Sequence, residues 1–392
     1  MRIDCDECNF QIDVDRFPLY CRCGIAYGDD GFRISKGAGD KIAAATSAVG
    51  IKPCGGCKKR QKKMNQMFPN KQIQADVLIF VPTSNVEAYY RKNGKLADLI
   101  EPLGMTTNIV PVDDFSMTFL NDLVNTVKPS IVINQCMLVP PGEWTVLIEN
   151  RPNIKFLTVN HSSFSDMFRV TNWLRYHEKH VDLAQRNVNA FYAHVDDRRF
   201  LERLYTTRTF WLPNPIVIPA AAEITPPNDP MQVSLVCRAD VLKNIPNQLL
   251  GLALASDFKV AISNHRDRER VLAPLIRSLG LEVENAPWGT FSDYEARIKQ
   301  CDIGLQCSFT ESMNFVCLEH LLLGKPVVGS HSIRYLPSTW QACADDPDEI
   351  ANTLCRFREK YTKHQERART IGLEFASENN EQFVKQFNQW VL

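Results

Sequence analysis

The chain has 392 residues, 44% of them hydrophobic and 23% charged, with 45 basic side chains balancing 45 acidic ones. Such a composition is globular, the length exceeds one ordinary hydrophobic core and suits two α/β domains with a small appendage, and no apolar run nears the roughly 18 residues of a membrane span. A net charge of zero excludes a protein that binds polyanions over its whole surface, so any such role must rest on a local patch.

The first residues, MRIDCDECNF, carry charges and cysteines where a secretory signal would carry a basic start and a long apolar stretch. A cytoplasmic location is expected. Of the 13 cysteines, six fall in the first 57 residues. Cys5-x-x-Cys8 and Cys21-x-Cys23 are two close pairs separated by twelve residues, which suits four thiolates around tetrahedral zinc better than disulfides in a reducing compartment. The expected role is a structural metal staple, resembling a zinc ribbon, for a segment with no large core of its own. Cys54 and Cys57 form a third pair, which joins a second metal site, replaces one of the first pairs or stays a free or redox dithiol; spacing leaves these open. Lys58, Lys59, Arg60, Lys62 and Lys63 follow directly, with Lys52 just before. A run of this kind is either a solvated helix face or a track for a phosphate backbone.

From Ala75 the pattern changes to short apolar runs followed by longer amphipathic stretches: VLIFV (77–81), SIVIN (130–134) and FLTVN (156–160). These read as buried parallel strands with intervening helices. In TFWLPNPIVIP, Pro213, Pro215 and Pro219 mark an extended connector, because proline fits neither a helix interior nor a central strand. A second set follows at VSLVC (233–237), KVAIS (259–263), DIGLQ (302–306) and PVVGS (326–330). The last residues show helical spacing of Phe383, Phe387 and Val391. The expected division is a cysteine-rich module over 1–72, a first Rossmann-like domain over 73–213, a second over 214–378 and a C-terminal helix over 379–392, with ligands at the carboxyl ends of the strands and in a cleft between the lobes.

The second half carries the most informative segment, which runs from Glu311 through Ser312, Met313, Asn314 and Phe315 to Glu319 and on to Gly324-Lys-Pro. Eight positions separate the two glutamates, about two turns if one helix holds both. If the helix starts just after Glu311, the N–H groups of Met313, Asn314 and Phe315 are first-turn donors where an anionic or hydroxyl-rich ligand fits. Upstream, Arg238 and Lys243 follow the strand VSLVC at a spacing of five.

This arrangement resembles the retaining family 4 glycosyltransferases, over nearly all of 233–340 and more weakly over 155–220. The resemblance implies a GT-B architecture, two Rossmann-like parallel-sheet domains facing a cleft, and a nucleotide-diphosphate sugar donor with uridine diphosphate as the expected nucleotide. It implies that Arg238 and Lys243 hold the diphosphate, Glu311 the sugar hydroxyls and Glu319 the ribose diol. Pro287 and Trp288 would lie near the base, and His161, at the end of FLTVN, beside the sugar. His194 is a weaker candidate of the same kind, and Leu-Pro213-Asn214-Pro215 resembles the family's hinge. The chain departs from the family at Cys237, Ser312 and Asn314, where glycine is frequent. No metal is expected at the catalytic centre.

A sugar-transfer core beside a zinc-ribbon-like module and a basic run suggests DNA as acceptor, at a hydroxymethylated pyrimidine in a bacteriophage genome; the location is then the host cytoplasm. Other readings are a transferase acting on protein, tRNA or surface saccharide, a sugar-nucleotide epimerase, and a catalytically silent GT-B-like scaffold that binds nucleic acid. Cys237, Cys301, Cys307 and Cys317 lie in apolar runs and are expected to behave as small core hydrophobes.

Overall fold

The computed structural model describes residues 74–82, 94–112, 115–162, 173–195, 208–220, 225–236, 241–264, 268–287 and 291–391, with four short strands between residues 2 and 27. Those strands make two antiparallel pairs, β1 (Arg2–Asp4) with β2 (Gln11–Asp13) and β3 (Leu19–Tyr20) with β4 (Ala26–Tyr27). All six N-terminal cysteines, and the basic run after them, lie outside the described residues.

The chain divides into two compact units. One comprises Met1–Tyr89, Ile100–Val159 and Lys179–Tyr192, the other Tyr90–Leu99, Asn160–Glu178 and Ala193–Leu392.

A first six-stranded sheet has the order β10-β9-β8-β7-β5-β6, built from β5 (Val77–Pro82), β6 (Thr107–Val112), β7 (Ile131–Gln135), β8 (Lys155–Asn160), β9 (Ala190–His194) and β10 (Thr209–Trp211). The all-apolar runs read from the sequence are β5, β7 and β8, and they pair in parallel in the middle of the sheet. The edge strands were not legible as apolar runs because each is half solvated: β6 is only partly buried and holds Pro111, and β10 is three partly buried residues. Helix α1 (Met117–Val127) buries Phe119, Leu120, Leu123, Val124 and Val127 on one stripe, and the Ser116 side chain caps it by accepting from the Phe119 N–H. Trp144 of α2 (Pro141–Glu149) packs edge-on against Phe80 and Phe156, with ring centroids 6.3 and 5.2 Å away. Helix α3 (Trp173–Arg186) precedes β9.

The second sheet has the order β13-β12-β11-β14-β15-β16, with every pair parallel. Its strands are β11 (Gln232–Val236), β12 (Lys259–Asn264), β13 (Val283–Pro287), β14 (Ile303–Gln306), β15 (Val327–Ser330) and β16 (Gln341–Ala342). This is the doubly wound order in which the chain works outward from β11 on one side and then, starting at β14, on the other. Helices α4 (Ile245–Ala255), α5 (Arg268–Leu279), α6 (Phe291–Gln300) and α7 (Phe315–Leu322) connect the strands, and α8 (Pro347–Glu359) follows the last of them. Pro274 sits inside α5. Gly251 lets α4 press onto α8: a Cβ there would lie 2.6 Å from Ile350 Cγ2.

The C-terminal helix is much longer than its sequence signal. α9 runs from Tyr361 to Val391, 31 residues, and its buried stripe is Tyr361, Gln365, Ala368, Gly372, Ala376, Asn379, Phe383, Phe387 and Trp390. The spacing is helical throughout, but the first half of the stripe consists mainly of small and polar residues, so hydrophobicity alone reveals only its end.

Two histidines are buried without charge. His320 of α7 is fully enclosed, its Nδ1 donating to the Val316 carbonyl at 2.7 Å, and burial pushes its pKa down to about 4. His177 of α3 is pushed down to about 4 by burial and by the neighbouring His194. Both values lie below the ordinary 6.5, so the unfolded chain takes up protons first as the pH falls. The stabilisation is complete above pH 6.5 and is lost on descending towards pH 4, on the order of a few kcal/mol. Urea unfolding midpoints should therefore drop between pH 7 and pH 4.5, and His320→Gln should flatten part of that slope; an undiminished slope in the variant would contradict the assignment.

Candidate active site

Strand order in the second sheet reverses between β11 and β14, which leaves a crevice outside their carboxyl ends because the connections leave in opposite directions. The segments after these two strands are joined by hydrogen bonds. After β11, Val241–Lys243 form a 3-10 turn and Asn244, in the left-handed region at φ 51°, opens α4. The Asn244 amide donates to the carbonyls of Cys307 (3.0 Å) and Ala344. Gln248 Nε2 donates to the Lys243 carbonyl at 2.7 Å, and its Oε1 accepts from the Cys307 N–H at 2.9 Å. The Phe309 N–H donates to the Leu242 carbonyl at 2.9 Å.

Across that seam Lys243 Nζ meets Glu311 Oε1 at 2.6 Å, with side-chain exposures of 19% and 7%. Asn314 Nδ2 donates to the same Glu311 oxygen at 3.0 Å and to Gln306 Oε1 at 3.1 Å, while Gln306 Nε2 donates to the Val236 carbonyl at 3.0 Å. Both bonds to the carboxylate fall on Oε1; among the described residues Oε2 takes none. The resulting group is a half-shielded ammonium beside a carboxylate with one oxygen committed and one available. Such a pair offers a point charge to a phosphate and an acceptor to a hydroxyl.

Glu311 lies ahead of α7 rather than inside it, so the two glutamates are not two turns apart on one helix. The helix begins at Phe315, and Asn314 is its N-cap, its side chain accepting from the Cys317 N–H at 2.8 Å. Neither helix start weighed from the sequence is the observed one: Met313 and Asn314 precede the helix, and the Phe315 N–H donates to the Met313 carbonyl at 3.1 Å. Glu319, on α7, accepts from the Tyr294 hydroxyl at 2.6 Å. Ser312 Oγ donates to the carbonyl of His161, 2.9 Å away within the second unit. His194 is buried next to His177 and belongs to the interior.

Of the other expected site residues, Pro287 is the last residue of β13, and Arg238 and Trp288 lie outside the described residues. Among the described residues no cluster of three or more His, Cys, Asp or Glu is placed to hold a metal. Burial raises the Cys301 thiol to about 12 and the Cys307 and Cys317 thiols further, so all three stay protonated and act as core residues. No helix in the described residues is long and apolar enough to cross a membrane.

A cavity of about 350 Å³ opens beside Glu311, lined by Trp211, Ser312, Ser332, Tyr335 and Phe375 among others. Burial keeps the Tyr335 hydroxyl protonated, and it donates to the Asn314 carbonyl at 2.6 Å. Gln248, Tyr294, Gln306 and Tyr335 support the site without having been read from the sequence, since each lies 21 to 70 positions from its partner in the chain.

No protein-family model and no curated protein sequence matches the chain. Solved structures do. Sucrose-phosphate synthase from Thermosynechococcus elongatus is similar over 80% of this chain and 98% of its own, at 13% identity and a TM-score of 0.62. The Anabaena protein HepE, solved in complex with UDP and glucose, matches over 81% and 99% at 16% identity and a TM-score of 0.59. The lipopolysaccharide outer core galactosyltransferase WaaB matches over 80% and 98% at 13% identity and 0.59. The fold is GT-B. At these identities it is the fold that is shared, and the site must be argued from its own residues.

Asn314 both caps α7 and holds Glu311. Asn314→Ala should cost about 1–2 kcal/mol of stability through the lost cap, whereas Asn314→Asp should keep the cap but set a second carboxylate against Glu311. Chemical unfolding of both variants checks this; equal stability of wild type and Asn314→Ala would show that the cap is idle.

Proposed function

We propose that this protein is a glycosyltransferase that moves a sugar from a nucleotide-diphosphate donor to an acceptor hydroxyl. The observation that carries this reading is the Lys243–Glu311 pair at the strand-order reversal of a GT-B fold. Ligands of doubly wound sheets bind there, and the pair matches the two halves of a sugar nucleotide, cation for diphosphate and carboxylate for sugar hydroxyl. UDP is the nucleotide we infer, supported by the UDP in the structure of HepE and by the family 4 resemblance.

In this reading the bond between the sugar anomeric carbon and the phosphate oxygen loosens to an oxocarbenium-like state. The departing diphosphate keeps the bonding pair and accepts the acceptor's proton, while the acceptor oxygen bonds the same carbon, with retention. Lys243, with Arg238, stabilises the charge developing on the leaving group, the largest single contribution such a site can make. Glu311 fixes the sugar, Asn314 fixes Glu311, Glu319 accepts from the ribose, Pro287 and Trp288 border the base, and His161 stands beside the sugar. Holding donor and acceptor together supplies the rest.

DNA carrying hydroxymethylpyrimidine is the acceptor we infer, on the basic run Lys58 to Lys63 beside the paired cysteines. A structural zinc on Cys5, Cys8, Cys21 and Cys23 goes with it, with Cys54 and Cys57 as further thiolates. By position in the sequence one pair falls between β1 and β2 and the other between β3 and β4. Elemental analysis of purified protein should find at least one zinc per chain, lost on Cys5→Ser with Cys8→Ser; zinc-free protein would remove this part of the reading.

The transfer itself is tested by mass spectrometry of nucleosides from hydroxymethylcytosine DNA incubated with UDP-sugars. A hexose- or pentose-sized gain is expected, with Lys243→Ala and Glu311→Gln each about 100-fold slower or more. Release of UDP without modified nucleoside would keep the transferase and exclude the DNA acceptor. Equal rates in both variants would place the chemistry elsewhere.

A further inference from the structure

We infer that the long C-terminal helix α9 reads the sugar, with Glu378 and Gln382 as specificity-determining residues. This rests on the proposed donor site and extends it to residues that the Glu311 segment does not contain. Two walls of the cavity beside Glu311 differ in origin, and Val195 and Trp211 complete the lining. One is formed by the loops after β14 and β15, through Ser312 to Asn314 and Ser332 to Tyr335. The other is a single face of α9, Phe375, Glu378, Asn379 and Gln382, spaced i, i+3, i+4, i+7 as one helical stripe requires.

That face is held in place. Asn379 Nδ2 donates to the Asn214 carbonyl at 2.5 Å, and Asn380 both donates to the Ile216 carbonyl (3.0 Å) and accepts from its N–H (2.8 Å). Phe375 stacks on Tyr335 at 4.3 Å, and Tyr335 bonds the Asn314 carbonyl, so α9 and the Glu311 loop form one braced structure. Gly372 brings α9 close to α7: a Cβ there would lie 3.0 Å from Leu322 N. Asn379 is thus consumed by the fold. Glu378 and Gln382 face the cavity and make no hydrogen bond to the described residues.

The occupant follows from the lining. Trp211, Tyr335 and Phe375 supply aromatic surface, and Glu378, Gln382 and Ser332 supply hydrogen-bonding groups, the mixture that orients a small polar ligand. Two carboxylates, Glu311 and Glu378, border the space, with Lys243 committed to Glu311 and Arg334 at the exposed rim. The cavity therefore offers no surplus positive charge to a phosphate, so the part of the donor that enters is neutral and hydroxylated. Glu311 points to the same ligand, because its side chain is 93% buried by the exposure of 7% and its Oε2 accepts nothing from the described residues. A volume of about 350 Å³ is near the lower end of small-ligand sites, which suits a monosaccharide.

The test is calorimetric binding of UDP, GDP and ADP and of their hexose conjugates to the full chain, as wild type, Gln382→Ala and Glu378→Gln. The expected result is that both variants bind the preferred free nucleotide within twofold of wild type, while the affinity advantage of the preferred sugar conjugate over its epimers falls about tenfold, the effect of one lost hydrogen bond to a hydroxyl. Unchanged nucleotide affinity with an unchanged ranking of sugars would overturn the role of α9 and leave the donor site intact. A wild-type chain that binds none of the nucleotides would overturn the donor site itself, and the role of α9 with it.

Discussion

The arrangement depends on one topological fact, the reversal of strand order between β11 and β14. Two parallel strands whose connections leave in opposite directions cannot both have their carboxyl ends covered, so a crevice remains there. Lys243 follows one of these strands and Glu311 the other, and their contact at 2.6 Å closes the base of that crevice. The ion pair is no great source of stability, since taking two charges out of water costs about as much as their attraction returns. Its value is positional, in placing a cation and a carboxylate where a ligand can separate their tasks.

Position on this scale needs more than two charges. Side-chain amides carry the load: those of Asn244, Gln248 and Gln306 join segments that are distant in the chain, and that of Asn314 ties Glu311 to Gln306. Buried amides are costly when unsatisfied and stiffening when satisfied. Because each of these four has its partners, the loops after β11 and β14 are built as one unit. Asn314 shows the trade most clearly: where the resembled family often has glycine, this chain has a residue that caps α7 and orients Glu311 at once. The brace continues through Tyr335 and Phe375 to α9, so the wall of the cavity is as fixed as its floor.

Much of this was legible in the sequence, for physical reasons. Strands buried on both faces are unbroken apolar runs, so β5, β7, β8 and the central strands of the second sheet could be read directly. The Arg238, Lys243, Glu311 and Glu319 pattern stood out because its members flank those runs. What was hidden is what depends on contact at long range or on weak periodicity. Edge strands β6 and β10 are half exposed and carry no clean pattern. The first half of α9 packs through Ala368, Gly372 and Ala376, which favour close helix contact but give no hydrophobic signal. The start of α7 stayed open because Asn314, a residue common in turns, acts as its cap. The supporting glutamines and tyrosines have no local signature at all, since their partners are set by the fold.

The most direct test of the account is a crystal structure of the protein with a non-hydrolysable UDP-hexose. The account predicts the diphosphate within hydrogen-bonding distance of Lys243 Nζ and the sugar ring in the cavity beside Glu311, with a hydroxyl on Oε2. Nucleotide bound away from the carboxyl ends of β11 and β14, with the Lys243–Glu311 contact undisturbed and the cavity empty, would contradict it.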